Sequence, residues 1–241
     1  MNKKCLSVTI SLVIKMIKAV FIDIDDTLLD FSKCAEYSMS ESFKDFGLQF
    51  EKFMFPVFEE INAGLWHRLE KSEITKSDLY GKRWFTVLGE FGITNIDGYE
   101  FEKHFQKHIS ESAEKVDGAK DLLAYLSSKY KIYAASNGPQ EQQIKRLKKA
   151  KLLEYFTDVF TSELLGVQKP ESAFFDNCFG NLDNIRPEEA VLIGDSLHAD
   201  ISGGIKYNMT TIWFNKKNSG KAENILPDFT VNSLTEIKNI L

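Results

Sequence analysis

Three stretches of the chain are apolar at every position rather than at alternate ones: Ala19 to Ile22, Ile132 to Ala135 and Ala190 to Ile193. A strand covered on both faces, as in a parallel sheet with helices on each side, has that pattern. Phe156 to Thr161, Thr210 to Phe214 and Phe229 to Val231 read as further strands. Between the first and second strands, from about Phe31 to Ser112, the period changes to that of helices rich in aromatic residues. These are expected over 32–46, 53–70, 75–90 and 98–112, separated by Gly47, by Ser72 to Thr75 and by Gly92 to Gly98. The core resumes at Val116, with Ala119, Leu122, Leu123, Leu126 and Tyr130 at helical spacing, and a further helix is expected from Gln140 to Leu153. The pattern predicts an α/β chain with a doubly wound parallel sheet core, 16–30 and 113–241. An α-helical bundle, 31–112, is inserted after the first strand as a cap that can exclude water from a site.

The apolar strands end in chemistry. Ala19 to Ile22 runs into Asp23 and Asp25, followed by Asp26 and Thr27. Carboxylates at the end of a buried strand are strongly penalised unless a cation or hydrogen-bonding loop satisfies them. The C-terminal edge of a parallel sheet is where open α/β folds bind ligands. The second strand ends in Ser136-Asn137-Gly138-Pro139 before a helix; its hydroxyl, amide and free N–H groups suit a phosphate, and equally a plain Ser/Asn helix cap. Lys169, ahead of Pro170, can put a compact positive charge beside a carboxylate and a phosphate. Ala190 to Ile193 leads into Gly194-Asp195 and, five residues on, Asp200: a second strand delivering acids, with Asp195 placed as a metal ligand and Asp200 as its orienting neighbour.

Composition narrows the partners. The chain has 241 residues, 43% of them hydrophobic, and a formal net charge of −5. That gives no electrostatic case for nucleic acid or an anionic membrane surface, and small molecules fit better. The basic residues Lys145, Arg146, Lys148, Lys149 and Lys151 read as a solvated helix face, and Ile144, Leu147, Leu152 and Leu153 as the buried one. Cys5, Cys34 and Cys178 are widely spaced and lack a zinc-site pairing, so a reduced, cytoplasmic protein is expected, as a monomer or homodimer. Asn2-Lys3-Lys4 and the apolar Cys5 to Ile14 look like a short leader, but Lys15 and Lys18 end the run well short of the roughly 20 residues of a membrane span. Residues 1–15 are therefore read as an N-terminal extension. In the inserted segment, Trp66, His67, Glu70, Arg83, Trp84 and Phe85 are expected mainly to pack, and His67, His104 and His108 lack metal-ligand spacing.

Asp23 and Asp25, Ser136-Asn137, Lys169-Pro170, and Gly194-Asp195 with Asp200 occur in the order and spacing of the four motifs of the haloacid dehalogenase-like hydrolases. The resemblance covers 16–241 and points to members with a Rossmann-like core and a helical cap after the first motif. Asn62, Leu65-Trp66, Glu70, Arg83, Arg146-Leu147, Tyr155-Phe156 and Gly203-Gly204 further resemble bacterial 5′-nucleotidases of the pyrimidine type. The resemblance implies a Mg²⁺-dependent phosphatase acting on a small phosphorylated metabolite, most simply a nucleoside 5′-monophosphate. It implies Asp23 as nucleophile and Asp25 as acid and base, with Ser136, Asn137 and Lys169 on the phosphate. The metal would sit on Asp23, the backbone carbonyl of Asp25, and Asp195, with Thr27 and Asp200 in support. Alternatives are a sugar-phosphate or phosphoglycolate phosphatase, a phosphomutase and a non-catalytic metabolite-binding protein. A 2-haloacid dehalogenase is disfavoured, because halide displacement needs no leaving-group acid at position 25.

Overall fold

The computed structural model describes residues 16–216 and 224–241; the expected extension, residues 1–15, lies outside them. The chain divides into two compact units, one holding the chain up to Leu29 together with Lys115–Leu241, the other Asp30–Glu114.

In the first unit, β1 (Ala19–Ile22) is buried along its whole length. The second unit holds four helices: α1 (Phe31–Asp45), α2 (Met54–Glu70), α3 (Lys76–Glu90) and α4 (Gly98–Ser110). Side chains from just outside the helices satisfy amide groups that a helix start leaves orphaned. Asp30 accepts from Lys33 N, Thr75 and Asp78 form a reciprocal capping box, and Asp97 accepts from Tyr99 N and Glu100 N. The interior of this unit is aromatic: Trp84 lies 4.4 Å from Phe101 and 5.2 Å from Phe58 between ring centroids. Arg83 is buried in the same interior, paired with Glu102 at 2.5 Å and donating to Asn62 Oδ1 at 2.8 Å. Trp84 and Arg83 thus pack within the bundle, whereas Phe85 and His67 are exposed. His104 Nδ1 and His108 Nε2 both meet Asp45 Oδ2, at 2.7 and 2.8 Å, tying α4 to the end of α1.

The first unit continues through α5 (Ala119–Ser127), β2 (Lys131–Ser136), α6 (Gln140–Lys149), β3 (Asp158–Thr161), the single turn α7 (Ser162–Leu165), α8 (Ser172–Gly180), β4 (Ala190–Gly194), α9 (Ser202–Lys206), β5 (Thr210–Phe214) and β6 (Phe229–Val231). All strand pairs are parallel, in the order β3-β2-β1-β4-β5-β6. Phe21, Tyr133 and Phe160 stack side by side on one face of the sheet, packed with Phe174, Phe175 and Cys178. Both described cysteines, Cys34 and Cys178, are free and buried. Two boundaries differ from the sequence pattern. The third strand begins at Asp158 rather than Phe156 because Leu153–Tyr155 winds into a 3₁₀ turn. The preceding helix stops at Lys149, and Lys151 takes a left-handed φ of 57° that no helix can continue through. Among the described residues no helix is long and apolar enough to cross a membrane.

Candidate active site

β1 has β2 on one side and β4 on the other, so the strand order reverses here and the sheet can part into a crevice at the strand ends. The register aligns those ends: Ile22 faces Ala134 of β2 and Ile193 of β4. Asp23 follows at once and stays in the sheet, donating its backbone N–H to Ile193 O at 2.9 Å. The chain then turns sharply, with Asp26 at φ 56°, a left-handed position that Asp tolerates better than most residues. Asp26 N, Leu28 N and Leu29 N close the turn by donating to Leu29 O, Ile24 O and Ile24 O. The turn buries Thr27, whose hydroxyl reaches Asp195 Oδ1 at a long 3.4 Å.

Lys169 crosses from the loop before α8 to the end of β1. Its buried ammonium donates to Asp23 Oδ1 at 2.7 Å, to Asp200 Oδ1 at 2.6 Å and to the carbonyl of Ala135 at 2.6 Å. An ammonium has three protons, and all three are used. Burial works against its charge, but Asp200 and Asp23 outweigh that and raise its pKa above the ordinary lysine value. Asn137 fixes the same residue from the other side. Its Nδ2 donates to Lys169 O at 3.0 Å, and its Oδ1 accepts from Lys169 N at 2.9 Å. The Asn137 amide thus sets the position of Lys169 through one bond at each end.

Asp195, at the end of β4, and Asp200, on the π-helical turn Leu197–Ile201, complete the cluster. Asp23, Asp195 and Asp200 each place one carboxylate oxygen within 4.8 Å of the others. Asp200 accepts from Lys169 Nζ and Ser196 N, and the glycine at 194 leaves room for its carboxyl. A Cβ there would fall 2.2 Å from the Asp200 carboxyl. Against three carboxylates Lys169 supplies one positive charge. Burial pushes the Asp23 carboxyl up to about 8, with Asp200 and Asp25 adding to the shift and Lys169 opposing it. Loss of hydration, then Asp23, Asp200 and Asp26, raises Asp195 well above the ordinary carboxylate range. A set of oxygen donors this short of positive charge fits a hard divalent cation such as Mg²⁺.

Asp25 has partners of its own. Its carboxylate accepts from Arg146 Nη1 and Gln143 Nε2, both at 2.5 Å, so any part it takes in holding a metal falls to its backbone carbonyl. Arg146 is fully buried, which corrects the reading of α6's basic residues as one solvated face; Lys145, Lys148 and Lys149 do face water. Gln143 was missed altogether. The signal lay in the three-residue step from Gln143 to Arg146 beside Leu147, which puts two polar side chains on the apolar side of the helix. Ser136 Oγ accepts from Gly138 N and from Gln143 Nε2, each at 3.0 Å. All these residues belong to the sheet unit.

Known proteins resemble this chain along most of its length. HAD-hydrolase YfnB of Bacillus subtilis is 31% identical over 94% of this chain and 96% of its own. A crystal structure of YfnB bound to magnesium superposes with a TM-score of 0.89, covering 93% of this chain and 98% of that one. Pyrimidine 5′-nucleotidase PynA of Streptococcus pneumoniae is 32% identical over 93% of this chain and 97% of its own. Pyrimidine 5′-nucleotidase YjjG of Escherichia coli is 28% identical over 92% and 96%. The model of the haloacid dehalogenase-like hydrolases matches residues 17–208, and with the parallel sheet and the acid cluster at its switch point in place, the chain belongs to that family of hydrolases.

Proposed function

We propose that this hydrolase is a Mg²⁺-dependent phosphatase that cleaves a small phosphate monoester, a nucleoside 5′-monophosphate, through an aspartyl-phosphate on Asp23. The observation that carries the reading is the pairing of Asp23 with Lys169 at 2.7 Å inside the carboxylate cluster, while Asp25, two residues on, is held by a separate set of donors. A phosphate monoester dianion repels an anionic nucleophile, so positive charge has to be in place before attack. Asp23 and Asp195, with the backbone carbonyl of Asp25 and the neighbouring Asp200, would hold Mg²⁺, which supplies charge neutralisation and orientation of the phosphate oxygens.

The remaining chemistry belongs to the chain. Lys169 keeps the nucleophilic carboxylate oriented and presents positive charge to the equatorial oxygens; Ser136 and Asn137 line the same strand edge. Asp23 attacks phosphorus in line, the phosphorus–oxygen bond to the leaving group breaks, and Asp25 gives that oxygen a proton. Asp25 then takes a proton from the water that attacks the aspartyl-phosphate, releasing phosphate and restoring Asp23. The nucleotide assignment is supported by the similarity of the chain to the pyrimidine 5′-nucleotidases PynA and YjjG. The test compares kcat/KM for UMP, dUMP, dTMP and AMP with that for a hexose phosphate and phosphoglycolate, in the presence of Mg²⁺. A tenfold or greater preference for either non-nucleotide overturns the substrate and leaves the phosphatase chemistry standing.

A further inference from the structure

A general acid has to be delivered to one oxygen of the substrate, and a carboxylate on a tight turn can rotate about two bonds. Asp25 is pinned instead. Arg146 Nη1 takes Oδ1 and Gln143 Nε2 takes Oδ2, from residues 121 and 118 positions away in sequence. Both donors stand on the buried side of α6, three residues apart, and are shielded from water, while the Asp25 side chain keeps 31% exposure. The donors are linked to each other by Arg146 Nη1 to Gln143 Oε1 at 3.3 Å. Gln143 Nε2 reaches on to Ser136 Oγ at 3.0 Å, so one chain of polar contacts runs from the end of β2 to the turn after β1.

Room for this arrangement is made at Gly138. A Cβ at that position would lie 2.2 Å from Gln143 Nε2, so a side chain there would evict the amide. A buried guanidinium and amide that only filled space would be costly; a neutral apolar pair would pack at lower cost. We infer that Gln143 and Arg146 are positioning residues that clasp the Asp25 carboxylate in the orientation from which it protonates the leaving group. The inference rests on the proposed acid–base role of Asp25. Displacing such a group by about 1 Å can cost about 100-fold in the chemical step without weakening substrate binding.

The test uses two substrates that differ in need for a proton: p-nitrophenyl phosphate, whose leaving group departs unaided, and benzyl phosphate, whose alkoxide does not. Gln143→Met, Gly138→Ala and Arg146→Lys are compared with Asp25→Asn by single-turnover kinetics with Mg²⁺, after thermal melting has shown each to be folded. Gln143→Met and Gly138→Ala are expected to slow phosphorylation by benzyl phosphate about 10- to 100-fold, with KM within threefold of the parent. The loss with p-nitrophenyl phosphate should be several-fold smaller. Arg146→Lys, which keeps the charge, should lose less than Arg146→Met. Gln143→Met combined with Asp25→Asn should be no slower than Asp25→Asn alone. If Asp25→Asn shows the leaving-group dependence and neither Gln143→Met nor Gly138→Ala does, the clasp is wrong and the acid–base reading survives. Should Asp25→Asn lose equally on both substrates, the acid–base reading falls and the clasp with it.

Discussion

Lys169 Nζ and Asp23 Oδ1 stand 2.7 Å apart in a buried site, yet the Asp23 carboxyl is pushed up to about 8 rather than down. One lysine shared between Asp23 and Asp200 does not offset the loss of water around them. The site is therefore built to take up further positive charge, and the balance is filled by a proton or by a metal ion.

Replacing Asp23, the proposed nucleophile, tests both halves of that statement. Asp23→Asn should abolish phosphatase turnover in Mg²⁺, because the amide is nearly isosteric but cannot attack phosphorus. At pH 8 in EDTA the same variant should melt no lower than the parent, since it removes a buried carboxylate carried at a penalty. Retained turnover, or a sharply lowered melting temperature, contradicts the site as described.

Stability should depend on pH in a direction opposite to that of an ordinary salt-bridged acid. The Asp23 carboxyl is raised from 3.8 to about 8, so the folded state holds this proton more tightly than the unfolded one. Its contribution is fully present below about pH 4, the unfolded value, and is lost as pH rises through about 8; Asp195 acts with the same sign. In EDTA the melting temperature should fall between pH 5 and 8.5 by more than in saturating Mg²⁺, where the cation takes the proton's place. Mg²⁺ binding at pH 7 should release protons, read by calorimetry in buffers of different ionisation enthalpy. Equal slopes with and without metal, and no proton release, would contradict the charge balance drawn above.

Gly194→Ala places a methyl group 2.2 Å from the Asp200 carboxyl and forces it to move. Overpacking of this kind costs about 1–3 kcal/mol. Weaker Mg²⁺ binding should accompany the loss, because Asp200 leaves the cluster. Unchanged stability and affinity would show that Asp200 has room that the structure does not reveal.

In the helical unit, Arg83→Met strips the cation from buried Glu102, leaving it only Gln106 Nε2 as a donor among the described residues, and should destabilise by about 3–5 kcal/mol in denaturant unfolding. Adding Glu102→Leu should restore much of that loss, since an apolar pair of similar volume carries no desolvation cost. A double variant as unstable as the sum of the singles would mean the two side chains stabilise independently.

Sequence alone determined where the acids sit. A run such as Ala190 to Ile193, apolar without alternation and ended by Gly194, fits a strand covered on both faces, and charge placed directly after such a strand emerges at the sheet edge. The helical insertion was legible for the same reason, since the period of apolar positions reports which face is buried. Periodicity does not report what a buried polar group meets. Asp25 to Arg146, Asn137 to Lys169 and Thr27 to Asp195 are contacts across 121, 32 and 168 residues, and sheet register and loop course decide them. That is why Arg146 read as one more solvated cation, and why neither the bond of the Asn137 amide to the backbone of Lys169 nor the approach of Asp200 to Asp23 and Asp195 could be read from the sequence. Residue type and spacing fix which groups can be brought to one edge, whereas the pairing among them follows from the parallel order of β2, β1 and β4, which only the tertiary structure supplies.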